Sequence, residues 1–95
     1  MVVGIGLITF RIHDCRSLKE KRRVVKAIIA RLRNQFNASV AEVDANDVHQ
    51  RAVIGVAMAG NDKAVVNSKM DKMFNMAEEL GLAEMTDSEM ELISV

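Results

Sequence analysis

The chain has no proline, no tryptophan and no tyrosine, a single cysteine, and three phenylalanines as its only aromatic residues. One thiol, Cys15, cannot form an internal disulfide, so the fold is not a disulfide-stapled scaffold, and a reducing cytoplasm is the expected setting. No apolar run approaches the roughly 20 residues needed to cross a bilayer, and no membrane partner is expected. Met1 to Leu7 is apolar, but it lacks a basic leader and is interrupted by glycines, which reads as a strand rather than a signal peptide. No linker divides the chain, and 95 residues make one domain, 1–95, with a modest core.

What is present is an ordinary globular composition, 49% apolar and 27% charged. The net charge of zero conceals a division. Residues 1–51 carry ten Lys and Arg against five acids, a net of +5, and residues 52–95 carry three against eight, a net of −5. A molecule so divided can offer a basic face to an anion, or pair with itself. Two ordinary solvated faces are the plainer reading of the same numbers.

The densest feature is Ser17-Leu-Lys-Glu-Lys-Arg-Arg23. Ser17 with Glu20 three residues later is a capping box, so a helix is expected to start here. Its first turns then carry Lys19, Lys21, Arg22, Arg23 and Lys26, positive charge where the helix dipole favours acids. The helix is expected from about Leu18 to Gln35. Leu18, Val25, Ile28, Ile29, Leu32 and Phe36 form its apolar stripe, and Lys19, Arg22, Arg23, Lys26 and Arg33 its charged one.

The rest of the chain reads as strands around a second helix. Val2 to His13 alternates as a first strand, with Gly4, Ile8, Phe10 and Ile12 on one side and Val3, Ile5, Leu7, Thr9, Arg11 and His13 on the other. Ala38–Asp44 and His49–Ala59 read as two strands around a turn rich in Asp and Asn. A second helix begins at Asn61 or Asp62, buries Val66, Met70, Met73, Ala77 and Leu80, and stops at Gly81. Leu82 to Val95 is the last strand, with Asp87, Glu89 and Glu91 on one face.

The order is βαββαβ. Right-handed crossovers turn it into a four-stranded antiparallel sheet in the order 4-1-3-2 with both helices on one face. The other face is left open, with Val3, Ile5, Leu7, Val53 and Ala57 on it, an apolar patch suited to an interaction or a homodimer. The same topology brings His13, Arg16 and Ser17 near the turn that carries Asn46, Asp47 and His49.

Ser17-Leu-Lys-Glu-Lys-Arg-Arg-Val24, with Arg31-Leu-Arg-Asn-Gln-Phe36, Ser39-Val-Ala-Glu-Val-Asp44 and Gln50-Arg51-Ala52, resembles the YlxP-like proteins of bacteria over nearly the whole chain. The resemblance implies a ferredoxin-like α+β sandwich. It also implies work on RNA or the ribosome, since genes of this family often lie beside those of transcription and translation factors. It carries over no catalytic residue and no cofactor. The sequence departs from the family pattern at Ser88, where an aromatic is expected.

Other chemistries on this fold are disfavoured by the residues. Stacking of bases on sheet aromatics would need rings on the open face, but Phe10, Phe36 and Phe74 all fall elsewhere. Acylphosphatases need a Gly-rich loop with an Arg after the first strand and copper chaperones a CxxC, whereas Asp14-Cys-Arg-Ser17 supplies neither. His13, Asp14, Cys15 and His49 lack metal-ligand spacing, and Asp44, Asp47 and His49 come without a nucleophile. Met70, Met73 and Met76 sit at helical spacing as core filler. The expectation is a non-enzymatic protein without metal or cofactor. It would contact the phosphates of RNA or a ribonucleoprotein through Arg16, Lys19, Arg22, Arg23 and Lys26, with Arg51 adding to them. The alternative is an interaction module using the open sheet face.

Overall fold

In the first strand, every second residue from Ile8 to Ile12 is buried, as are Ala52, Ile54, Val56 and Met58 in the strand beside it. This period of two marks one face of a sheet turned towards a core. The computed structural model describes residues 1–95, as β1 (Val2–Arg11), α1 (Leu18–Gln35), β2 (Ser39–Asp44), β3 (Arg51–Gly60), α2 (Lys63–Glu79) and β4 (Glu84–Ser94). The strands lie in the order β2-β3-β1-β4, which is the expected 4-1-3-2 read from the other edge, and every pairing is antiparallel. The architecture is the ferredoxin-like α+β sandwich, with both helices on one face of the sheet.

The helices close that face at the spacing the sequence sets. Val25, Ile28 and Leu32 of α1 and Val66, Met70, Met73 and Ala77 of α2 are buried against the sheet. Leu92 is only half-buried, because β4 is an edge strand. Ser17 caps α1, its Oγ accepting from the Glu20 N–H at 3.1 Å. Asp62 does the same for α2, accepting from the Val65 N–H at 3.1 Å. Gly81, at φ +70°, takes the left-handed turn that stops α2.

At the loop-bearing end of the sheet, β1 and β3 end inward of the expected positions, while β3 runs one residue further at its other end, to Gly60. β1 stops at Arg11 rather than His13, because Asp14 turns the chain at φ 58°. β3 begins at Arg51 rather than His49, behind a turn in which Ala45 sits at φ 60°. A β-bulge after Glu42 shifts the β2–β3 register and leaves Val43 as the extra residue.

Candidate nucleic-acid interface

The first two turns of α1 and the residue before its cap place Arg16, Lys19, Arg22, Arg23 and Lys26 on the surface, and all five are exposed. At 3.6 residues per turn, Lys19, Arg22, Arg23 and Lys26 fall on one flank of the helix, away from Val25 and Ile28. No carboxylate pairs with any of them, since the ion pairs of the molecule are His13–Glu84 and Lys21–Glu42. The flank continues past Ile29 and Ala30 to Arg33, along an open groove of about 350 Å³ between α1 and the β2 edge. Arg33 donates from Nη2 to the Val40 carbonyl at 2.9 Å, so its guanidinium is partly engaged in covering that edge. Two acids lie in this region, Glu42 in the groove, paired with Lys21, and Glu20 at the helix start. Glu20 accepts from the Arg16 N–H at 2.9 Å, one residue before the reciprocal partner that a capping box calls for.

Arg51 does not join this group. It lies opposite Arg11 on the face of the sheet turned away from the helices, in a shallow depression with Leu7, Thr9, Asp44, Val53, Asp87 and Glu89. The strand alternation that buries Ala52 beneath the helices turns Arg51 the other way, towards acids.

Lys21 separates from its neighbours too. Its side chain is 1% exposed, with Nζ 2.8 Å from Glu42 Oε2 and donating to the Ala45 carbonyl. The sequence carried the signal, because Lys21 precedes Val25 by four residues and Ile28 by seven and so falls on the buried stripe. One cation of the dense block therefore ties α1 to the β2–β3 turn, and the others face solvent.

The loop after β1 meets the end of the β2–β3 turn and the start of β4, through Ile12, Cys15 and His13. The Ile12 N–H donates to the Gln50 carbonyl at 2.9 Å, Gln50 Nε2 approaches the Cys15 carbonyl at 3.5 Å, and His13 Nε2 lies 2.8 Å from Glu84 Oε1. Cys15 is buried, its Sγ donating to the Ser17 carbonyl at 3.3 Å. No three His, Cys, Asp or Glu side chains converge as a metal site would require.

On the open face, Ile5 and Leu7 are 36% and 41% exposed and Val3 is half-buried. Val53 shares the face but is buried at 6%, so it offers a partner little surface. Val43, thrown outward over Gly55 by the bulge, and Ile93 at the far end of β4 are exposed apolar residues that the sequence reading omitted.

Residues 3–90 match a family model described as "Protein of unknown function (DUF503)". The chain belongs to that family. It is 32% identical over 72 residues to the uncharacterized protein YlxP of Bacillus subtilis (strain 168), a match covering 76% of this chain and 78% of the relative. The match with the DUF503 model takes in α1 whole, including its basic flank and Lys21. Among solved structures, 98% of the chain superposes on the REP-associated tyrosine transposase bound to a REP hairpin, at a TM-score of 0.45 and 10% identity. The chain spans 56% of that structure's length, and a likeness this loose says nothing about what a DUF503 chain binds. No helix is long and apolar enough to cross a membrane.

Proposed function

We propose that this protein binds RNA or a ribonucleoprotein in the cytoplasm, without catalysis or cofactor, by laying the exposed flank of α1 along a phosphate backbone. The observation that carries the reading is the row of Arg16, Lys19, Arg22, Arg23 and Lys26, exposed and unpaired with any acid. Cations without carboxylate partners keep their full attraction for phosphate, and binding releases the counterions condensed on the nucleic acid. Arg brings a planar fork that can grip a phosphate at two points, and Lys a mobile point charge. The groove from Lys26 to Arg33 lengthens the track along the edge of the sheet. The family's usual gene neighbours in transcription and translation favour RNA over other polyanions.

The test is capture of partners from lysate on the immobilised protein, with and without RNase, followed by titration of a structured RNA at several salt concentrations. Binding that needs intact RNA and weakens steeply with salt supports the reading. Capture unaffected by RNase, or affinity flat in salt, overturns it.

A further inference from the structure

We infer that the open face of the sheet is a docking surface for a cationic amphipathic helix of another protein. Across the sheet, the register sets Ser39, Ala57, Ile5 and Glu91 in one row and Ala41, Gly55, Leu7 and Glu89 in the next. Each large apolar residue of β1 thus stands between small residues on the β2–β3 side and an acid on β4. Val43, set over Gly55 by the bulge, walls the β2 side, so a helix lies along Ile5 and Leu7 on the side of β4. Ile5 and Leu7 form the apolar ridge, and Glu89 and Glu91 a negative rail beside it. Between ridge and rail lies an open depression of about 450 Å³, lined by Ile5, Gly6, Leu7, Glu89, Met90 and Glu91. The size suits apolar anchor side chains, with Lys or Arg reaching the rail.

Charge decides among the occupants. The cations on this face, Arg11 and Arg51, sit opposite each other at one end, Arg11 across from Glu84 and Arg51 in one depression with Asp44, Asp87 and Glu89 but in an ion pair with none of them. Neither is in register with Glu89 or Glu91, which stand across from Leu7 and Ile5. A second copy stacked with its strands aligned sets this rail over another rail, or over the uncharged Ser39 and Ala41 of β2, and an offset copy brings to it only Arg11 and Arg51, each already beside an acid of its own sheet. A phosphate backbone is repelled by the rail. A helix with Lys or Arg beside its apolar stripe meets both features at once.

The full-length protein, labelled with ¹⁵N, is titrated with a synthetic amphipathic Lys/Leu peptide, and separately with its Glu/Leu counterpart and with a short RNA. The expected result is perturbation of the amides of Ile5, Leu7, Glu89 and Glu91 by the Lys/Leu peptide alone. Glu89→Gln and Glu91→Gln, on an exposed edge, should leave the spectrum folded and weaken binding about two- to fivefold each, as exposed ion pairs do. Perturbation centred on the acids of α2, equal binding of the Glu/Leu peptide, or no binding overturns the inference. So does concentration-dependent dimerisation lost in Leu7→Glu, which gives the face to a second copy, or movement of these amides by RNA. RNA contacts on α1 are read from separate amides in the same spectra, so the phosphate-binding reading stands or falls by itself.

Discussion

Lys21 and Glu42 form an ion pair beneath the β2–β3 turn, Nζ to Oε2 at 2.8 Å, with the lysine 1% and the glutamate 16% exposed. Beyond this contact, Glu42 Oε2 receives no hydrogen bond. The ammonium also holds the carbonyl of Ala45, a residue whose left-handed backbone (φ 60°) costs roughly 1 kcal/mol without glycine's freedom. Helix, strand and turn therefore meet at one buried cation. Removing it leaves Glu42 with its charge mostly out of water and no counterion.

Lys21→Ala should destabilise the domain by about 3–5 kcal/mol, the range for breaking a buried pair from one side. Joint replacement, Lys21→Met with Glu42→Leu, should recover most of that, since apolar groups of similar volume leave no charge stranded. Urea unfolding of the parent, single and double variants measures both. A single variant as stable as the parent would mean that Lys21 reaches solvent in solution.

Ser17→Ala should cost about 1 kcal/mol, because the Glu20 N–H loses its acceptor. Glu20→Ala should cost less, since its carboxylate bonds the Arg16 N–H, outside the helix, where water can substitute. Thermal melts of the two variants check the order. An equal or reversed ranking would show that the carboxylate, and not the hydroxyl, fixes the start of α1.

The fold was legible because its signals are local and periodic. Ser17 fixed the first turn of α1 to the residue, Asn61 and Asp62 that of α2 to within one, and the alternation of Ile8, Phe10 and Ile12 with Leu7, Thr9 and Arg11 told the two faces of the sheet apart. The site was legible in part. Lys19, Arg22, Arg23 and Lys26 follow from the helical period, which also marks Lys21 as buried, but only Glu42 and the Ala45 carbonyl, distant in sequence, make such a burial tolerable. Arg51 was misplaced because nearness in the hairpin does not say on which side of the sheet a side chain emerges. Val43 escaped notice because the bulge that exposes it leaves no mark in composition.

Gly6 faces Phe74 across the core. A methyl group there would lie 2.5 Å from Phe74 Cζ and 3.0 Å from the Glu89 carbonyl oxygen, and neither ring nor strand yields easily. Gly6→Ala should cost about 1–3 kcal/mol, as overpacking does. Adding Phe74→Leu should restore part of it, making the pair less damaging than the sum of its members. Additive losses in denaturant unfolding would place the strain at the Glu89 carbonyl instead.

The functional reading is most exposed at Arg22, Arg23 and Lys26. These side chains lie in solvent and pair with no acid, so each replacement by Gln should change stability little, within about 0.5 kcal/mol. If each meets one phosphate, each replacement should reduce the slope of log affinity against log salt by about 0.7 on single-stranded RNA, or about 0.9 if duplex RNA behaves as duplex DNA does. The triple variant should then lose roughly two to three units of slope and most of its affinity at physiological salt. Arg51→Gln, on the far side of the sheet, should leave the slope unchanged. Filter-binding titrations at several salt concentrations measure the slopes, and melting curves verify the folds. A triple variant with the parent's slope would remove α1 from the interface, and an Arg51 variant that loses as much as Arg22→Gln would extend the interface to the far side of the sheet.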